Sequence, residues 1–110
     1  MCRKNGANEK MTITKTENGK EITLALEGRL DTNSAPELEK VLAEFGVYPQ
    51  SLVFDFESLS YISSAGLRVL LSTQKRANAA QGTLVIRNAN ELIREVFEVT
   101  GFDNILTIED

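Results

Sequence analysis

Residues 51–67 read SLVFDFESLSYISSAGL, and their first half decides the fold. Ser51 to Phe56 is a short, nearly continuous apolar run, the pattern of a strand covered on both faces, as in sheets whose crossover helices do the covering. Behind it the pattern changes. Glu57 through Gly66 reads as a loop, with Ser58, Ser60, Ser63 and Ser64 crowded around Tyr61 and Ile62. A helix begins at Ser63 or Ser64 and runs towards Asn78, with Leu67, Leu70 and Leu71 as its inner stripe and Lys75 and Arg76 near its C-terminal end.

Working outward, Gly82 precedes another apolar run, TLVIR, which reads as a strand. On the N-terminal side, Ser34-Ala35-Pro36-Glu37 has the form of a capping box with proline inside the first turn. Leu38, Val41, Leu42 and Phe45 follow at helical spacing, and Gly46 closes the helix. Earlier still, Ile13 alternates with Thr12, Thr14 and Thr16, and Ile22, Leu24, Leu26 and Leu30 alternate with Thr23, Glu27 and Arg29. Asn18-Gly19 between these runs signals a β-hairpin with a type I′ turn. At the C-terminal end, Asn88-Ala89-Asn90-Glu91 places a capping asparagine three residues before a glutamate, and Leu92, Ile93, Val96, Phe97 and Val99 lead to a stop at Gly101. The stripe Leu92, Val96 and Val99 reads as core, since a small domain needs one. Ile105 to Ile108 completes the set as a short strand. The order predicts an α/β fold: a single domain over 11–110, its mixed β-sheet opened by an N-terminal β-hairpin and packed against α-helices through right-handed crossovers. Residues 1–10, MCRKNGANEK, lack any hydrophobic period and read as a flexible leader.

Composition narrows the function. The 110 residues are 42% hydrophobic and 25% charged, the balance of an ordinary globular domain. Net charge is −4 overall and −6 from Met11 onward, where nine basic residues face fifteen acidic ones. An acidic body lacks the electrostatic attraction that supplies most non-specific nucleic-acid affinity, so no nucleic acid is expected as a partner. The chain has no histidine, which removes histidine triads, imidazole bases and histidine metal ligands together. Its one cysteine, Cys2, forms no intramolecular disulfide and fits a reducing compartment. No apolar stretch approaches the roughly 20 residues that cross a bilayer, and no export signal opens the chain. Cytoplasmic location and no membrane partner are the resulting expectations.

Sites on such sheets gather outside the carboxyl ends of the strands. Two segments qualify, Asp31-Thr32-Asn33-Ser34 and the loop that leads to Gly66. Glycine in a first helical turn costs roughly 1 kcal/mol against alanine, so Gly66 points to a close approach, either by the protein's own strand or by a partner's surface. Ser63 reads as an N-cap. Ser64, beside unpaired backbone N–H groups and the positive end of the helix dipole, is placed to carry a phosphate without disturbing the fold. As a nucleophile it lacks both the first glycine of G-x-S-x-G and a base, so no catalytic residue is assigned. Asp55 is either a ligand or a strand-end aspartate bonding loop N–H groups. No nucleotide-binding glycine motif is present, and neither cofactor nor metal is expected.

The segment Asp55-Phe56-Glu57-Ser58-Leu59-Ser60-Tyr61-Ile62-Ser63-Ser64-Ala65-Gly66-Leu67 resembles the signature of the STAS domain found in bacterial anti-sigma factor antagonists. Glu27 to Thr32 and Ala89 to Ile105 are similar to two further segments of that family, so the resemblance covers nearly all of 11–110. It implies a phospho-regulated switch. The unphosphorylated antagonist binds an anti-sigma factor that is also a serine kinase, a sigma factor is released, the kinase ends the association by phosphorylation, and a serine phosphatase restores it. By motif position Ser64 matches the phosphorylated serine, and the contact surface spans Asp31, Thr32 and Asn33 with Ser63, Ser64, Ala65, Gly66, Leu67 and Arg68. Ser63 stands where the family commonly has aspartate, and Ala65 replaces a frequent serine or threonine. Arg68, four residues after Ser64, lies on the same helix face and is placed to pair with a phosphate. The alternative within the family is a non-phosphorylated STAS subunit of a transport or stress-sensing assembly.

Overall fold

The computed structural model describes residues 11–45 and 48–109; the expected leader and the expected helix stop at Gly46 lie outside them. Strands β1 (Thr12–Asn18) and β2 (Glu21–Leu30) form the opening hairpin, followed by α1 (Ala35–Ala43), β3 (Ser51–Ile62), α2 (Ser64–Ala80), β4 (Thr83–Arg87), α3 (Glu91–Thr100), a 3-10 turn (Phe102–Asn104) and β5 (Thr107–Glu109). The sheet order is β1-β2-β3-β4-β5. Only β1 with β2 is antiparallel; the other three pairs are parallel. Because the parallel strands advance in one direction and crossovers are right-handed, all three helices fall on one face of the sheet. Leu24, Leu26, Leu52, Phe54, Phe56, Leu84 and Ile86 are buried on that side, and Leu38, Leu42, Leu70, Ile93 and Phe97 meet them from the helices.

The hairpin turns differently from the expected type I′. Asn18 pairs with Glu21, so the central residues are Gly19 and Lys20 rather than Asn18 and Gly19. Among them only Gly19 has a positive φ, +67°, the pattern of a type II′ turn, which asks for glycine at its first central position alone.

Strand β3 also departs from expectation: the stretch read as a loop from Glu57 stays in the sheet as far as Ile62. Glu27 opposes Ser58, Gly28 opposes Leu59, Arg29 opposes Tyr61 and Leu30 opposes Ile62, with two register shifts that add residues to β3. Leu59 and Ile62 are buried and anchor the extension, whereas the exposed Ser58 and Ser60 on either side of Leu59 hid the alternation. Such bulges re-aim side chains near the end of a strand.

Two expected caps are rearranged. Ser34 is already helical at φ −99° and ψ −19° and makes no side-chain cap, so the capping box with Glu37 does not form. Its hydroxyl instead donates to Arg29 O at 2.7 Å and accepts from Asp31 N at 2.9 Å. For α3 the cap is Asn90 rather than Asn88: Asn90 Oδ1 accepts from Ile93 N at 2.8 Å and its Nδ2 donates to Leu59 O at 3.1 Å. Helix α1 stops at Ala43, which leaves Phe45 beyond it, partly buried beneath Lys15. Of the stripe read as core on α3, Val96 packs partly buried against the core, but Leu92 and Val99 are turned outward, 52% and 81% exposed, because Ile93 and Phe97 occupy the sheet-facing side.

Candidate functional site at the carboxyl ends of β2 and β3

Strands β2 and β3 end side by side, and Ser63 N–H donates to Leu30 O at 2.9 Å where they finish. One residue, Ser63, separates β3 from α2. Its extended backbone, φ −102° and ψ 176°, turns the chain; its Oγ accepts from Gly66 N at 3.4 Å and its carbonyl from Leu67 N at 2.9 Å. The expected cap is therefore Ser63, and Ser64 is the first helical residue, exposed to solvent. Gly66 lies over Leu30 and Ile62 with no room for a side chain, so the close approach it permits is to the protein's own strands. Leu67 is buried as well, so of the expected contact set Gly66 and Leu67 lie beneath the exposed Ser64. Ala65 is half-buried.

Arg68 is exposed one turn along α2 and makes no ion pair among the described residues. The N–H groups of the first helical turn and the dipole they share make this end favourable to negative charge.

The second predicted segment arrives beside the first. Asp31 Oδ1 accepts from Asn33 N at 3.0 Å, from Ser34 N at 3.1 Å and from Ser34 Oγ at 3.2 Å. Burial pushes the Asp31 carboxyl up, but the Ser34 and Asn33 N–H groups, the Ser34 hydroxyl and the Arg29 charge together outweigh it and hold the group below its ordinary value. Thr32 and Asn33 are exposed at the tip of this turn. Asp31, Thr32, Asn33, Ser63, Ser64 and Arg68 thus share one end of the sheet.

Sequence reasoning missed a neighbouring pair. The bulged register sets Arg29 opposite Tyr61; the guanidinium stacks over the ring at 4.5 Å and its Nε lies 3.7 Å from Asp31 Oδ2. The available signal was the alternation of β2 carried past Gly28, which pairs Arg29 with whatever β3 places opposite. Ser60, in the same bulge, donates from Oγ to Gly28 O at 2.9 Å. Asp55, left open between ligand and strand-end roles, accepts from Glu57 N at 3.0 Å and Asn88 Nδ2 at 3.1 Å and so ties the middle of β3 to the residue that follows β4.

The described residues hold no cluster of histidine, cysteine or carboxylate side chains that suits a metal ion, and no described helix is long and apolar enough to cross a membrane.

Residues 13–107 match the family described as "Mlab, STAS domain". Over 88 residues the chain is 38% identical to the protein named "Putative anti-sigma factor antagonist BtrV" of Bordetella bronchiseptica, covering 79% of this chain and 76% of that one. Among solved structures, a Thermotoga maritima protein described as a "putative anti-sigma factor antagonist" superposes with a TM-score of 0.84 at 18% identity, over 89% of this chain and 86% of the other. The Bacillus cell fate determinant SpoIIAA in its phosphorylated form superposes with a TM-score of 0.71 at 19% identity, over 90% and 92%.

Proposed function

The chain belongs to the STAS-domain family, and from that premise we propose that it is an anti-sigma factor antagonist, a regulatory protein rather than an enzyme, whose binding is switched by phosphorylation of Ser64. In the unmodified state it binds an anti-sigma factor serine kinase through Asp31, Thr32, Asn33, Ser63, Ser64, Ala65 and Arg68, in the cytoplasm, and a sigma factor is released. The kinase then phosphorylates Ser64, the complex dissociates, and a serine phosphatase resets the switch.

The observation that carries this reading is the position of Ser64: exposed, first in α2, and beside the Asp31 turn. A phosphate adds about −1.5 to −2 charges, which a packed interface opposes by desolvation and like-charge repulsion. A loss of about 2.8 kcal/mol weakens binding roughly a hundredfold. The same charge sits favourably at the helix N-terminus, so the domain stays folded while the complex fails. A solved relative in the fold has a phosphorylated form, which is consistent with this switch.

Ser63 in place of an aspartate favours the second reading, a STAS subunit that is not phosphorylated and serves a transport or stress-sensing assembly. Intact-mass analysis after incubating wild type and Ser64→Ala with ATP and host lysate decides between them. One added phosphate on wild type, absent from Ser64→Ala and mapped to the α2 start, is the expected result. No phosphate, with a control substrate showing active kinases, overturns the switch and leaves the second reading.

A further inference from the structure

Three large apolar side chains stand exposed among the described residues, Leu92, Val99 and Ile105, and the first two lie on one stripe of α3. Leu92, Val96 and Val99 follow at i, i+4 and i+7, which places them on a single helix face. Ile93 and Phe97, on the adjoining face, are fully buried against the sheet. Val96, between Leu92 and Val99, is half-buried against the core, so the exposed part of the stripe is Leu92 and Val99 at its two ends with the outer edge of Val96 between. On the side of the stripe away from the core the helix presents Glu91, Glu95 and Glu98, all exposed, as an acidic ridge; Arg94 is farther round, half-buried.

We propose that this stripe docks an amphipathic helix from a partner protein, apolar along its centre and edged with lysine or arginine. Charge complementarity selects this occupant: an apolar strip seats on Leu92, Val96 and Val99 while a basic edge meets the three glutamates. A second copy fits poorly, since antiparallel pairing of the two stripes sets one acidic ridge against the other. Anionic lipid headgroups meet the same repulsion from the ridge. The platform is held in place, because Asn90 caps α3 and bonds to Leu59 O on β3. The stripe lies on α3, whereas Ser64 opens α2, and the proposal does not depend on the role of Ser64.

The test is a ¹⁵N-resolved NMR titration of the full chain with a synthetic helical peptide of about five turns, leucine along one face and lysine on the flanks, in parallel with a leucine/glutamate peptide of the same pattern. Shifts concentrated on residues 91–100, binding by the lysine peptide at least roughly tenfold tighter than by the glutamate peptide, and a further loss of about tenfold in Val99→Glu are expected. Val99 is 81% exposed, so its substitution leaves the fold intact, and Leu92→Asp provides a second variant. Shifts scattered over every acidic surface, equal binding of both peptides, or no loss in either variant overturn the proposal. Concentration-dependent shifts of α3 without peptide assign the stripe to a second copy, and shifts with phosphatidylglycerol vesicles alone assign it to lipid; either result also overturns it.

Discussion

Leu30 lies so close beneath Gly66 that a β-carbon on the glycine would sit 2.7 Å from Leu30 Cγ and 2.8 Å from Ile62 Cγ1. Alanine at this position gains about 1 kcal/mol of helix propensity, whereas overpacking a tight contact typically costs about 1–3 kcal/mol. Gly66→Ala therefore lowers the urea midpoint, by up to about 2 kcal/mol of stability, with an unchanged denaturant slope. An unchanged midpoint would mean that Leu30 and Ile62 yield without cost.

Arg68 follows Ser64 by one helical turn. Phosphorylated wild type is expected to gain about 0.2–0.5 kcal/mol from that pairing relative to phosphorylated Arg68→Ala, each measured against its own unmodified form by denaturant unfolding. The gain shrinks in high salt. Equal increments in the two proteins would remove Arg68 from the phosphate.

Asn90→Ala loses the cap on Ile93 N and the bond to Leu59 O, a cost of about 1–2 kcal/mol, and quickens hydrogen exchange in the first turn of α3. Asn88 has a φ of +62° and bonds Asp55 instead. Asn88→Gly keeps that backbone conformation and leaves exchange at Glu91 to Ile93 unchanged. Equal acceleration in both variants would contradict the assignment of the cap.

Asp31 makes stability depend on acid. Its carboxyl is held below the ordinary value of 3.8, so the stabilisation is complete above that value and is lost as pH falls through the lower folded value. Denaturation at a series of pH values should show this acid limb in wild type and a shallower one in Asp31→Asn. Parallel limbs would show that the Asn33 and Ser34 bonds do not couple to folding.

Tyr48 sets the opposite limb. Burial pushes its phenol up to about 12, against a smaller downward pull from Arg76, and its hydroxyl donates to Thr83 O at 3.0 Å. Its contribution is present below the ordinary value of 10.0 and is lost as pH rises towards about 12. Tyr48→Phe costs about 1 kcal/mol at neutral pH and flattens that alkaline loss. An equally steep loss in the variant would assign it to other groups.

Much of this molecule was legible from residue pattern because hydrophobic period and burial coincide in most of its elements. Leu24 and Leu26 alternate inward and Ser63 caps α2 as its position suggests, but the apolar runs SLVF and TLVI overstate their cover: the helices lie on one face only, and burial along β4 alternates, with Leu84 and Ile86 inside and Thr83 exposed. The pattern failed where a tertiary partner overrode a local rule. Ser34 had a capping-box neighbour in Glu37 but found Arg29 O and Asp31 N closer, and Asn88 lost the cap of α3 to Asn90 because Leu59 O held the latter in place. The stretch from Glu57 to Ile62 looked like a loop since its bulges break the two-residue period that announces a strand. The same bulges set Tyr61 opposite Arg29, a pairing that depends on register and is invisible along one strand. Leu92 and Val99 satisfied helical amphipathicity as well as Ile93 and Phe97 did, and only the direction of α3 over the sheet decides which pair goes inside.

With Ser63 the sole residue between β3 and α2, Ser64 has no slack with which to be drawn out as an extended substrate. On the proposed function, an enzyme that modifies this hydroxyl in the folded chain accepts a corner, not a ribbon, and one shaped for that corner would recognise the serine only in a chain that has folded around it. An unfolded or proteolysed copy presents the same letters without the shape. The modification would then report conformational integrity along with regulatory state, and misfolded copies would be excluded from signalling without a separate surveillance step.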